Sequence, residues 1–408
     1  MRQPLLLALT CIGFVSLGLP DGMLGVAWPS MRLHFGLPLD AIGSVLVMFT
    51  LGYLISSFSS GIIQSHMRLG TLLASSAFIS ALSLLAYSLA PHWGLIVAAA
   101  VVAGLGAGAI DSGLNAYAAM HHHHGTVTWL HAAYGVGAAG SPILLGAWLS
   151  RGVPWQAGYA LVAAIEVALG LCFLVSRHRW PDAQAPSEST DPLVQPPKAT
   201  FLETLRVGRL WIGILTFFVY AGIESGVGTW AFTVLTTRHH LSADVAGAWV
   251  GAYWGSLAAG RVLVGLAAGH GSPSKLLVGS ALGIVTGAAL AMADWGYAGT
   301  LTGILLIGAS CAPVFPVLIA ITPRRLDPRH TAHAVGFQIA GATLGQSIIP
   351  AGIGVAAQHR SVEAIPAVWL ITALTLLVLL WFIHRDRRPG SGPRSGIPRR
   401  APSESTPA

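Results

Sequence analysis

Three carboxylates, a guanidinium and an imidazole lie in stretches of this chain that are otherwise apolar. Asp21 follows LLLALTCIGFVSLGLP, Asp111 follows LIVAAAVVAGLGAGAI, and Glu224 lies within YAGIESGVGTW. Arg261 interrupts GAYWGSLAAGRVLVG, and His131 lies in TWLHAAYGVGAAGSP. An ionisable side chain at membrane depth is costly and faces a cavity or a partner rather than lipid. The chemistry open to such groups is proton uptake and release, or hydrogen bonding to a polar solute. Neutral polar residues stand close in sequence. Asn115 is four residues past Asp111 and Tyr220 four before Glu224, so each shares a helix face with its acid. Gln338 and Gln346 are eight apart, about two turns along one face.

Each residue also admits a plainer reading. Asp111 can serve an interhelical bond alone, and the two glutamines can do the same. His131 is either a proton relay, since imidazole titrates near neutral pH, or a polar anchor near a helix end. Arg261 either pairs with a carboxylate, Asp111 being the candidate, or snorkels to the nearer surface.

The elements that must position these groups follow from composition. Of 408 residues, 54% are hydrophobic and only 9% charged, far below the roughly 25% of soluble domains. Apolar stretches suffice for about twelve membrane spans. They fall near 4–29, 40–63, 70–90, 93–118, 128–150, 155–177, 208–236, 243–267, 274–293, 297–322, 330–357 and 362–384. They must be helices, because hydrocarbon leaves no partner for free backbone groups and no barrel alternation is seen.

The net charge of +7 reports topology rather than a polyanionic partner such as nucleic acid. Arg68, Lys275, Arg324, Arg325 and Arg329 fall in loops on the side of both termini, with Arg177, Arg179, Lys198, Arg206 and Arg209 in the central linker. Six tail arginines from Arg385 to Arg400 add to them, against Arg32, Arg151, Arg238 and Arg360 on the other side. That bias predicts cytoplasmic termini. The first span is expected to stay attached, because no small-x-small cleavage site follows it. Cys11, Cys172 and Cys311 sit singly in distant spans and predict neither a disulfide nor a metal site. The His121–His124 run reads as a solvated loop rather than a metal ligand set.

The spans divide six and six, giving domains at 1–177 and 208–384, a polar linker at 178–207 and a disordered tail at 385–408. The halves also match in detail. Asp21, Asp40, Gly43 and Gly52 recur as Glu224, Asp244, Gly247 and Gly255, at an offset of 203 or 204 positions. Each repeat puts an acid four residues before a glycine (Gly25, Gly228) and an aspartate (Asp40, Asp244) where a helix N-cap is expected. In span 4, Gly104 and Gly108 would let another backbone approach closely. The fold class is an all-α membrane protein with twelve transmembrane helices in two pseudo-symmetric six-helix bundles.

This layout resembles the major facilitator superfamily, whose repeats enclose a midplane site. An acid in each of spans 1 and 4, Asn115, Leu130-His131 and a glycine-rich span 5 resemble its fucose-permease and glucose-transporter branch. So do Tyr220, Gly222, Glu224, Gly228 and Trp230, which match its YxGxExxxGxW pattern. The chain departs from the branch in having Leu114-Asn115-Ala116 where sugar members often have Ala-Asn-Pro, and its span 2 loop lacks the usual aspartate. The resemblance implies a secondary transporter in the cell (inner) membrane, not an enzyme, without a cofactor. It would move a sugar or similar small neutral solute with a proton or sodium, as a monomer.

On that reading Asp21, Asp111, Glu224 and His131 couple protons, with Arg261 as charge partner. Asn115, Tyr220, Trp230, Gln338 and Gln346 bind solute, although Trp230 suits an interfacial belt equally well. The alternative is a proton-driven exporter of drugs or metabolites. GVGAAGSP is only a loose version of the span 5 motif such exporters carry, which favours uptake. A non-transporting sensor would need no acids inside both halves.

Overall fold

The computed structural model describes residues 2–121, 124–181, 199–266, 272–293 and 295–385. His122 and His123, Asp294, most of the linker and the tail from 386 lie outside the described residues, so the readings of the histidine run, the linker and the disordered tail stand there as expectations. The described residues form helices and connecting turns, with no strand among them.

The first six helices are α1 (Arg2–Phe35), α2 (Ile42–His66), α3 (Leu69–Leu89), α4 (Trp93–His121), α5 (His124–Leu149) and α6 (Trp155–Ser176). After the linker come a short α7 (Phe201–Leu205), α8 (Gly208–Thr233), α9 (Ala243–Leu266) and α10 (Pro273–Met292). The chain ends with α11 (Gly296–Cys311), α12 (Val314–Arg325), α13 (Thr331–His359) and α14 (Ala364–Arg385).

Eleven of the described helical stretches are long and apolar enough to cross a membrane, with α11 and α12 counted as one. The twelfth span is α9, whose apolarity is reduced by Arg261 and its ring-bearing residues. Three expectations change in detail. The tenth span is not continuous at 297–322 but breaks at Ala312-Pro313, where proline removes a helix donor. The linker contains α7, fixed by a capping box between Thr200 and Glu203. And Asp40 does not cap α2: a 3-10 turn at Leu39–Ala41 precedes that helix, with no side-chain cap.

Packing repeats the duplication. In the first group α1 packs on α5 and α6, α2 on α4, and α3 on α4 and α6. In the second, α8 packs on α13 and α14, α9 on α11, and α10 on α11 and α14. The two lists are the same plan, helix for helix. Contacts between the groups obey the same symmetry: α5 meets α9, α13 meets α2, and α1 meets α8.

Glycines make those crossings, since only an absent Cβ lets two backbones come this close. A Cβ on Gly43 would lie 3.0 Å from that of Ala351, one on Gly354 3.2 Å from Asp40 Cα, and one on Gly146 2.9 Å from Gly247 Cα. Gly25 meets the backbone of Gly228 and Thr229, and Gly135 meets Ala258. All these points lie at mid-depth or towards the end away from the termini. Among the described glycines none makes a crossing nearer the terminal end. The glycine crossings between the two groups thus close the molecule at the end away from the termini.

Candidate functional site

Each acid is set by a local feature of its helix. Pro20 precedes Asp21 inside α1, and a helix-interior proline has no N–H to donate to the carbonyl four residues before it. Gly18 and Gly22 press α1 onto the Tyr134–Ala138 backbone of α5, which brings the Tyr134 hydroxyl to Asp21 Oδ2 at 2.6 Å. One turn further, Gly25 crosses α8. Asp21 therefore lies directly below the closed seam, and it is exposed.

Asp111 is positioned by the glycines before it. Gly104 and Gly108 seat α4 against the Phe49–Tyr53 backbone of α2, as their spacing predicts. Tyr53 then donates its hydroxyl to Asp111 Oδ2 at 2.6 Å, and Asn115 Nδ2 donates to Oδ1 at 2.9 Å. Asp111 and Asn115 are half-buried, and Asp21 and Asp111 lie within electrostatic reach of one another.

Glu224 is different. It is buried, and Arg261 Nη2 contacts both its oxygens at 3.0 and 3.1 Å. Tyr220 donates its hydroxyl to Oε2, and Tyr253 donates to the Glu224 backbone carbonyl at 2.6 Å. Arg261 thus pairs inside its own group rather than with Asp111. The reason is geometric: Arg261 lies beyond the Gly135–Ala258 crossing on α9, and there α8 is the neighbour that offers a carboxylate. A buried guanidinium takes a counter-charge with good geometry where one is in reach.

The remaining expected residues divide. His131 is exposed, edge-on to Phe14 with ring centroids 5.3 Å apart, and within electrostatic reach of Arg261. Gln346 is exposed too, and its backbone carbonyl accepts from Ser225 at 2.9 Å. Trp230 is fully enclosed, its indole N–H donating to the Pro350 carbonyl at 2.8 Å. It fastens α8 to α13, and in this conformation it neither faces solute nor sits in an interfacial belt. Gln338 is buried and accepts from Thr322 at 2.9 Å, which makes it an interhelical tie.

Three tyrosines escaped sequence reading: Tyr53, Tyr134 and Tyr253. The signal available was their place on glycine-flanked helix faces, but their partners are acids on other helices. Each acid in the set accepts from a tyrosine hydroxyl, and that recurrence appears only in three dimensions.

The comparisons with known proteins agree with the fold. The family description "Major Facilitator Superfamily" matches residues 10–309 and 235–406. The chain belongs to that superfamily, and it is a multi-pass membrane transporter rather than an enzyme. It is 21% identical over 389 residues to the glucose/mannose transporter GlcP of Bacillus subtilis, covering 92% of this chain and 93% of that protein. Among solved structures it resembles a point mutant of the nucleoside transporter NupG, with TM-score 0.76, 15% identity and coverage of 94% and 100%. A D-xylose-proton symporter gives TM-score 0.71, 15% identity and coverage of 93% and 98%.

Proposed function

We propose that this protein is a secondary active transporter that takes up a sugar or similar small polyhydroxylated solute with a proton, by alternating access. The observation that carries the reading is the pair of duplicated acids. Both Asp21 and Glu224 lie one turn below the α1–α8 crossing, yet of the two only Glu224 is matched by a cation among the described residues. Asp21, with Asp111 nearby, is held by neutral donors, so a proton is the counter-charge that completes it. Protonation removes the charge penalty and lets the groups close around a neutral solute. Carboxylate, amide and phenol are also the groups that hydrogen-bond sugar hydroxyls. The names of GlcP and of the xylose symporter support that solute class.

In this reading residues 1–177 and 208–384 rock about each other, joined by 178–207. Both termini and the tail at 385–408 lie in the cytoplasm, and a monomer in the inner membrane suffices. The closed end then faces away from the cytoplasm.

The test is solute counterflow in proteoliposomes with a sugar panel, with and without a pH gradient, for wild type, Asp21→Asn and Asp111→Asn. Both variants should lose gradient-driven accumulation while keeping part of their exchange. Accumulation that ignores pH and both acids would sink the reading, and a response to sodium alone would replace the proton. Efflux driven by an inward proton gradient would turn the direction to export.

A further inference from the structure

The closed end has two seams that the duplication makes equivalent, and they are not built alike. At each, a turn between two spans reaches the other group. In the first repeat the turn passes through Gly36 at φ +66°, and in the second through His240 at φ 52°, 204 positions later. A left-handed residue suits glycine, and its recurrence at a histidine marks the turn as part of the repeated design.

The second repeat's turn starts α9, which lies along α5 for several turns. Gly247 meets Gly146 and Pro142, Gly251 meets Ala139 and Ile143, and Ala258 meets Gly135. This seam is backbone against backbone from the closed end to mid-depth. Among the described residues no side-chain hydrogen bond crosses at the α5 end, where the Ser150 hydroxyl donates to the Ala147 carbonyl of its own helix at 3.0 Å and Arg151 lies within electrostatic reach of Asp244.

The first repeat's turn and the start of α2 meet α13 in a smaller seam, whose glycine contacts are confined to the closed end, where Ala351 faces Gly43 and Gly354 faces Asp40. Here, among the described residues, one side-chain hydrogen bond crosses between the groups. The Leu39 backbone N–H donates to Gln358 Oε1 at 2.7 Å. That N–H begins a 3-10 turn with no side-chain cap of its own. Donors at a helix start need an outside acceptor, and Gln358 of the other group is that acceptor.

We propose that Gln358 is the latch of the closed end: opening breaks the Leu39–Gln358 bond along α2 and α13, while the α5–α9 seam stays together as the pivot. A short seam held by one exposed hydrogen bond parts before a long one made of interlocked backbones. Water can replace the Leu39 donor's partner at once, whereas separating the glycine seam empties several close contacts together. The proposal rests on alternating exposure of the central space, and its test reads distance rather than transport.

Two spin-label pairs are placed in a background lacking Cys11, Cys172 and Cys311. Leu33→Cys with Ser361→Cys spans the latch seam, and Ser150→Cys with Ser242→Cys spans the pivot; these four sites are exposed. Distance distributions in nanodiscs are compared for Gln358, Gln358→Ala and Gln358→Glu. Removing the bond should shift the opening equilibrium about fivefold, the factor a single hydrogen bond supplies. It should lengthen the 33–361 distance and leave 150–242 unchanged. Gln358→Glu, which keeps an acceptor, should return the wild-type distribution. Equal widening of both pairs, no change with alanine, or a glutamate variant that behaves like alanine would each overturn the latch. A carrier that fails the sugar assay but gives the expected distances would refute the solute and keep the latch.

Discussion

Asp21 and Glu224 occupy the same place in two copies of one helix, four residues before a glycine at the same crossing, and their surroundings are opposite. Asp21 is exposed, holds one tyrosine hydroxyl and lacks a cation among the described residues. Glu224 is buried, holds Tyr220 and is neutralised by Arg261. The repeat places two equivalent acids, and Arg261 on α9 gives only the second a cation partner among the described residues. The first group keeps a carboxylate held by a neutral donor, and the second keeps one paired with a guanidinium inside its own helices.

The sharpest way to break this contrast is to remove the fixed cation. Arg261→Ala leaves Glu224 buried and unpaired, which should cost about 3–5 kcal/mol. Adding Glu224→Gln should restore most of that loss, read as thermal stability in detergent micelles. Asp21→Asn, by contrast, should leave the melting temperature near wild type. If Arg261→Ala melts like wild type, the second group's acid is as free as the first's and the contrast fails.

The two tyrosines sharpen the contrast at a lower energy. A hydrogen bond to a charged group contributes about 1.5–3 kcal/mol. Losing Tyr220 therefore removes a bond from the Glu224–Arg261 cluster, and losing Tyr134 removes the hydroxyl that holds Asp21. Tyr220→Phe should lower stability and keep the pH profile of counterflow. Tyr134→Phe should move that profile and keep most of the stability. A shared phenotype would mean that both acids serve one role.

The glycines separate packing within a group from packing between groups. Gly228 sits against the Trp254 ring of its own group, and a Cβ there forces the indole aside. Overpacking of this kind costs about 1–3 kcal/mol, so Gly228→Ala should lower the melting temperature. Gly25 meets backbone of the other group, so Gly25→Ala should push the closed end apart and slow exchange with less loss of stability. Spin labels at 33 and 361 would show the parting.

What the sequence made legible follows the helix period. Asp111 with Asn115 and Tyr220 with Glu224 are four-residue pairs, and one helix settles them without its neighbours. The duplication was legible too, because an offset of 203 or 204 needs no coordinates. Contacts between helices were not. Arg261 reaches Glu224 rather than Asp111, and Tyr134 reaches Asp21, because helix rotation and crossing decide those meetings. Trp230 shows the same limit: its interval from Glu224 fixes its helix face, while Gly354 and the Pro350 carbonyl on α13 decide that the face is enclosed.

The smallest expected effect lies at the terminal end, where the second group has a feature the described part of the first does not share. The short α7 docks under α13, with the Ala199 N–H donating to the Arg329 carbonyl at 3.2 Å and Thr204 Oγ1 3.0 Å from His330 Nδ1. Its capping box depends on a charge: the Thr200 N–H donates to Glu203 Oε2 at 2.9 Å, and the Thr200 bonds hold the Glu203 carboxyl below its ordinary range. A carboxyl held low in the folded state stabilises fully above the ordinary glutamate value of about 4.3 and loses that contribution as pH falls through its folded value. Hydrogen exchange of the Thr200 and Ala199 amides should therefore quicken as pH is lowered from 6 to 4, after correction for intrinsic rates. Glu203→Gln should show the faster exchange already at pH 6 and lose the pH dependence. An unchanged profile in that variant would assign the segment's order to the Arg329 and His330 contacts alone, and the charge on α7 would then add nothing to its docking on the second group.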